Sequence, residues 1–289
     1  MIIWLASYPR SGNTLLRTVL NKTMGYKSFS DEVGEEKIMG QSNASLEITG
    51  VTEIDEDWDS FYKKAYQSDK VFLVKTHRPP RDDQPAIYVV RDGRSAHLSY
   101  SRFHEKFTRP SYPSLLGLVL GSDFYGDWSG HYQSWAAREN TFIIRYEDLV
   151  SISDESLKNI ARHICYAGEI TAWENPFFHL HNENPNFFRA GEKTWKGDAS
   201  WTAWIDSIFF HLHGDLMVEL GYASNAELAK KSGSLSHDLV EIIDYSYQMT
   251  MEMRKLRTVC SERQLVIDGL KQACDERLAL INQLSAVRD

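Results

Sequence analysis

The chain has 289 residues, enough for one large domain or a domain with an appendage. Its 42% apolar and 25% charged residues are ordinary for a globular protein, and a net charge of −8 excludes a general nucleic-acid binder while leaving room for a local basic pocket. Cys165, Cys260 and Cys274 form neither a disulfide framework nor a metal spacing, and no run of 18 apolar residues occurs; the expectation is a protein of the reducing cytoplasm without a transmembrane segment. In chain order, Ile2-Ile3-Trp4-Leu5-Ala6 predicts a buried parallel strand, followed by a polar turn and a helix from Leu15. Residues 26–60 are acidic and aperiodic and read as a solvated connection, with a short helix at 59–67. A second strand is expected at 71–75, stopped by Pro79-Pro80, a third at 86–90, and a fourth at 141–146. Helices are expected after Arg91 through His104, at 114–120 inside a loop that is a candidate acceptor wall, at 131–138 burying Trp128 and Trp135, at 153–166, and at 201–220 as an amphipathic helix closed by Gly221. Alternating strands and helices predict a three-layer α/β domain around a central parallel sheet.

The first turn carries the strongest signal. Strand, polar turn with Gly12, then helix directs backbone N–H groups and the positive end of a helix dipole at one spot, which suits a phosphate. Arg10 adds a permanent charge, and Ser11, Asn13 and Thr14 add donors. The turn is not a Walker A loop: the first glycine is missing and the basic residue precedes Gly12. Lys75 and His77 fall at the carboxyl end of a strand, the edge where open α/β sheets bind ligands, and His77 is a candidate general base. Arg91 stands at the end of the third strand, where its planar fork suits paired phosphate oxygens. Asp92 reads as a cap and Arg94 as a solvated charge. Glu147 and Asp148 read as charges on a helix N-terminus.

Ser7-Tyr8-Pro9-Arg10-Ser11-Gly12-Asn13-Thr14 resembles the 5′-phosphosulfate loop, T-Y-P-K-S-G-T-T-W, of sulfotransferases that use 3′-phosphoadenosine 5′-phosphosulfate (PAPS). Four further segments resemble the same family in its order. Lys75-Thr76-His77 before proline resembles K-T-H-x-P, in which the histidine is the general base and the lysine contacts the sulfuryl group. Arg91 and Ser99, eight residues apart, match the pair that binds the 3′-phosphate, with Gly93 in place of a proline. Arg145-Tyr146-Glu147-Asp148-Leu149 resembles x-Y-E-D-L/M, whose tyrosine contacts adenine. Phe188-Arg189-Ala190-Gly191 through Lys196 resembles F-x-R-K-G-x-x-G-x-W-K, the loop that closes over the nucleotide; Arg189 and Gly191 match, Ala190 replaces a lysine, and Trp195 comes one residue early.

The resemblance covers residues 1–222 and implies a P-loop-like domain that transfers a sulfuryl group from PAPS to a hydroxyl of a small molecule or glycan, without a metal. His77, Lys75 and Arg10 are then catalytic. Arg10, Ser11, Gly12, Asn13, Thr14, Arg91, Ser99, Tyr146, Arg189, Ala190 and Gly191 are then the PAPS contacts. Arg10 stands where lysine is usual and cannot donate a proton to the leaving group, so its part is electrostatic. Leu15 replaces a tryptophan that often stacks on adenine. The rival readings are a P-loop nucleoside or sugar kinase, and a non-catalytic scaffold with a relic nucleotide domain.

Ser232-Gly233-Ser234 marks a linker, set at 223–238. From 239 two interleaved seven-residue series follow: Ile242, Met249, Leu256, Arg263, Leu270, Arg277 and Leu284, and Leu239, Ser246, Met253, Cys260, Ile267, Cys274 and Ile281. The segment Cys260 to Leu270 repeats as Cys274 to Leu284. This pattern predicts a helical coiled-coil tail at 239–289 that makes the protein a homo-oligomer, with one long helix folded back on the domain as the rival reading.

Overall fold

Strand β1, Ile2–Ser7, is buried along its whole length, because its unbroken apolar run has helices on both faces. The computed structural model describes residues 1–32, 42–107, 113–183 and 195–286. Within them β1 sits at the centre of a five-stranded, all-parallel sheet with β2 Ser28–Ser30, β3 Phe72–Thr76, β4 Ala86–Val90 and β5 Thr141–Arg145, in the order β2-β3-β1-β4-β5. The four expected strands form within a residue of their expected limits. The register sets Ala6 beside Thr76 and Tyr88, so the turns after β1, β3 and β4 open on one edge.

The helices are α1 Asn13–Met24, α2 Asn43–Thr49, α3 Trp58–Gln67, α4 Gly93–Phe107, α5 Leu115–Val119, α6 Trp128–Ala136, α7 Tyr146–Val150, α8 Asp154–His163, α9 Phe177–Glu183, α10 Ala203–Glu219, α11 Asn225–Ser232 and α12 His237–Ala286. Side chains alternate across the strands. Trp4, Tyr88 and Val90 pack on one face against Phe61 of α3, Leu98 of α4, Trp128 and Trp135 of α6 and Phe209 of α10. Ile3, Leu5 and Val89 pack on the other against Leu16 and Leu20 of α1 and Leu157 and Ile160 of α8. Two cores on one sheet make the three layers.

Four expectations need correction. Residues 26–60 are not simply a solvated connection. They hold β2, α2 and the start of α3, and the Arg17 Nε donates to Ser28 Oγ at 2.7 Å inside the fold. A three-residue strand with small polar residues gives no apolar run to detect. Arg94 is not solvated: it is 4% exposed, its Nη2 donates to Asp92 Oδ2 at 2.8 Å and to the Tyr222 carbonyl at 3.1 Å, and its Nη1 reaches Glu227 of α11 at 3.1 Å. Asp92 does act as the cap, accepting the Arg94 backbone N–H at 2.9 Å. Helix α10 is less amphipathic than expected, since the sheet, α11 and α12 cover different sides of it; Leu228 lies over Gly214, and His211 meets Asp244 at 2.7 Å. The linker stretch 223–238 is half helix, α11 over Asn225–Ser232, and its last two residues already belong to α12.

Helix α12 has two halves. Its first half docks on the domain through Leu239, Ile243, Tyr247, Met251 and Arg254, with Arg254 Nη1 3.9 Å from Asp127. Beyond Arg254 the described side chains are exposed, Ala273 alone being half-buried.

Burial holds four histidines neutral: His77 and His97 with pKa values lowered to about 3, His131 to about 4, and His213 also lowered. Below the ordinary histidine value the unfolded chain takes up protons at these sites that the folded chain refuses. Asp31, raised by burial to about 6, acts in the opposite sense, since its folded form is protonated first. Four groups outweigh one, so stability should fall as pH drops from 6.5 towards 4; a thermal midpoint that rises over that range would contradict the buried-neutral assignment.

Candidate active site

The polar turn after β1 is tightly wound. Arg10 has φ 63° and Gly12 φ 110°, both left-handed, and the Ser11 N–H donates to the Tyr8 carbonyl at 3.2 Å. Gly12 is required twice over. A Cβ there would sit 2.5 Å from Tyr146 Cδ2, in a conformation that favours glycine. Helix α1 then begins with no side-chain cap and no acid in its first turn. By contrast Ser42, Asp57, Ser114, Asp127, Ser153, Thr202 and Ser224 each cap the helix that follows them. The N–H groups at the start of α1 are thus left facing the turn, and the buried Ser11 Oγ has no partner there. An anion would satisfy both.

Two more expected residues close on this turn. Arg10 Nε reaches Ser99 Oγ of α4 at 3.4 Å and its guanidinium lies 5.2 Å from the Phe103 ring. Arg91 Nη1 donates to the Arg10 carbonyl at 3.2 Å, and its guanidinium lies 4.2 Å from the Tyr146 ring centre. Arg10, Ser11, Gly12, Arg91, Ser99 and Tyr146 therefore share one place. Thr14 lies in the first turn of α1, and its carbonyl accepts from Thr18. Asn13 differs from expectation: its amide Nδ2 is committed to the Leu5 carbonyl at 2.7 Å and to Ser7 Oγ at 3.3 Å, fastening α1 to β1. Arg189, Ala190 and Gly191 lie outside the described residues. Trp195 follows them, stacked 4.1 Å from the Arg94 guanidinium.

His77 and Lys75 stand at the end of β3, next to β1. His77 Nδ1 bonds to the Ser7 carbonyl at 2.7 Å; since a carbonyl only accepts, Nδ1 carries the proton and Nε2 is the basic nitrogen. The backbone of His77 is fixed in turn, because His131 Nε2–H donates to its carbonyl at 2.8 Å and Tyr88 O–H donates to His131 Nδ1 at 2.9 Å. Burial keeps the His77 ring neutral, and the nearby Lys75 charge adds to this, while Glu32 opposes both.

Sequence reasoning missed Glu32, Asp31 and Tyr125. Glu32 Oε2 pairs with Lys75 Nζ at 2.5 Å, with both side chains nearly buried, and the Tyr125 hydroxyl donates to Glu32 Oε1. Asp31 accepts from Thr76 Oγ1 at 2.7 Å. The Tyr125 ring meets the His77 ring edge-on, centres 5.7 Å apart. The available signal was the position of Asp31-Glu32 directly after Ser28-Phe29-Ser30, a strand whose neighbour β3 carries Lys75. The described residues include no group of three His, Cys, Asp or Glu placed to hold a metal ion.

Residues 2–171 match the sequence model of a known family, described as Sulfotransferase domain. The chain belongs to this family. Among curated relatives, mouse Sulfotransferase 4A1 is 25% identical over 198 residues, 62% of this chain and 65% of that protein. Human Sulfotransferase 4A1 is 27% identical over 166 residues, 51% of this chain and 54% of that protein. The aligned region therefore spans between about half and two thirds of the length of these relatives. A solved structure of mouse sulfotransferase SULT7A1 complexed with PAP is similar over 81% of this chain and 88% of its own, at 18% identity and a TM-score of 0.48. Retinol dehydratase in complex with androsterone and inactive cofactor PAP is similar over 86% and 80%, at 16% identity and a TM-score of 0.37. The matched family region contains β1 to β5, hence the polar turn, His77, Arg91, Ser99 and Tyr146.

The turn makes a direct prediction. Gly12→Ala should lower stability by roughly 1–3 kcal/mol from backbone strain, with a further loss from the clash with Tyr146. In a Tyr146→Ala background the clash is gone and only the strain remains, so the cost in urea unfolding should shrink; an equal cost in both backgrounds would remove Tyr146 from the argument.

Proposed function

We propose that this protein is an enzyme that transfers a sulfuryl group from PAPS to a hydroxyl of a small molecule or glycan. The observation that carries the reading is the bond from His77 Nδ1 to the Ser7 carbonyl, which leaves Nε2 as a base beside an uncapped, phosphate-ready helix terminus. Family membership supports the same chemistry. The residues fit the nucleotide: the orphaned Ser11 Oγ and the bare start of α1 suit its 5′ end, and Arg91 and Ser99 suit its 3′-phosphate. PAPS, when bound, supplies the activated sulfuryl group, with adenosine 3′,5′-bisphosphate leaving.

Within this reading His77 Nε2 takes the proton of the acceptor hydroxyl. The charge then on the imidazole faces Glu32, which is also the partner of Lys75. Lys75 and Arg10 are fixed cations for the negative charge that develops, in the way that phosphoryl-transfer sites use them. Tyr146 is an adenine contact, Asn13 contributes through its place in the turn, and Arg189, Ala190 and Gly191 are nucleotide contacts in this proposal. Tyr125 and α5 belong to the acceptor wall.

The proposal extends to the whole chain. Residues 1–222 form the transferase domain, residues 223–238 connect it to the tail, and residues 239–289 form the tail, whose exposed stripe beyond Arg254 supports self-association. Because α12 is docked as far as Arg254, the tail that can be removed without uncovering Ile243 begins at 255. Among the described residues no helix is long and apolar enough to cross a membrane. All three cysteines are exposed free thiols, which supports a reducing cytoplasm as the location.

His77→Ala should lower turnover roughly 10²–10⁴-fold with nucleotide affinity nearly unchanged. Full activity would move the base elsewhere, with Glu32 next in line. Arg91→Ala should weaken adenosine 3′,5′-bisphosphate by about 2–5 kcal/mol and spare adenosine 5′-phosphate. Calorimetric titration of both nucleotides decides this, and an equal loss for the two would reduce Arg91 to a brace for the turn.

A further inference from the structure

The free half of α12 carries an apolar stripe that none of the described residues of its own chain covers. Leu256, Leu270 and Ile281 are 63, 62 and 58% exposed. Val259, Val266 and Leu280, which flank the two seven-residue series on one side, are exposed as well, while the other flank holds Arg257, Gln264, Lys271 and, near its end, Leu278. The stripe is also broken twice, by Arg263 and Arg277. These three features determine which way a second copy would lie.

We infer that the free halves of two copies of α12 pair antiparallel, about a two-fold axis between Ile267 and Leu270, so that the two domains stand at opposite ends of one rod. This rests on the self-association reading above and deepens it. In that register each residue faces the one whose number completes 537. Ile267 meets Leu270 of the second copy, and Leu256 meets Ile281. Arg263 meets Cys274, and Arg277 meets Cys260. Every apolar layer is matched with an apolar layer, and each arginine is set against a small thiol. Parallel, in-register pairing would instead stack Arg263 on Arg263 and Arg277 on Arg277, two like-charge layers in the seam.

The flanks decide the same way. Antiparallel helices bring the apolar flank against itself, Val259 beside Leu280 and Val266 beside Ala273 of the second copy, and on the other side set Gln264 beside Lys271 and Arg257 beside Leu278. Parallel helices would set Val266 against Lys271 and Val259 against Gln264, leaving the apolar flank wet.

The experiment uses the full chain with Cys165, Cys260 and Cys274 replaced by alanine, and a single spin label at Thr258→Cys or at Gln272→Cys, both exposed. Antiparallel pairing offsets the two copies of position 258 by twenty-one residues along the axis, about 31 Å, and those of position 272 by seven, about 10 Å. Pulsed electron resonance should then give a clearly longer distance at 258 than at 272. Sedimentation on the same samples, and on the wild-type chain, gives the mass. A dimer with equal distances at the two positions overturns the antiparallel arrangement and leaves self-association standing. A monomer at tens of micromolar in both chains overturns both.

Discussion

The bond between His77 Nδ1 and the Ser7 carbonyl is the contact on which the site depends. It joins β3 to β1, neighbouring strands of the sheet, just at the edge where each gives way to a functional turn. It fixes the ring orientation and the tautomer at once. Had Nδ1 faced water, either nitrogen could have carried the proton. Because the acceptor is a backbone carbonyl, which a mutation elsewhere cannot easily remove, the base is specified by the sheet itself. The register that places Ala6 beside Thr76 and Tyr88 is what makes this bond geometrically possible.

Around that bond the charges are arranged in opposition. Lys75 keeps His77 neutral, and Glu32 favours its protonation, yet Lys75 and Glu32 are themselves paired at 2.5 Å. The pair is nearly buried, so neither partner is strongly screened by solvent, and removing either would leave an uncompensated charge near the base. The acid–base behaviour of His77 therefore combines its burial with two charges, Lys75 on β3 beside it and Glu32 in the turn after β2.

Much of this was legible in the sequence because it is local. Apolar runs of four or five residues located β1, β3, β4 and β5, and the residues just after them, Arg10, His77, Arg91 and Tyr146, are where the structure gathers its polar groups. The parts that were not legible are those set by tertiary contact. Ser28-Phe29-Ser30 pairs with β3 without any apolar run of its own, so the arrival of Asp31 and Glu32 at Lys75 and Thr76 could not be read from spacing. Arg94 looks like any charged residue on a helix start; only the return of the chain through Tyr222 and Glu227, more than a hundred residues later, buries it. Tyr125 sits in a stretch without clean period, and its contact with Glu32 and His77 needed the fold.

The left-handed backbone at Arg10 has a consequence for how this turn can change. A side chain bearing a Cβ costs roughly 1–2 kcal/mol in that conformation compared with glycine. The same residue supplies the charge that meets Ser99 and the carbonyl that receives Arg91. Glycine would relax the backbone while removing the cation, so stability and charge pull in opposite directions at this one position. A screen for heat resistance alone would be drawn towards losing Arg10, whereas a screen for anion binding would hold it.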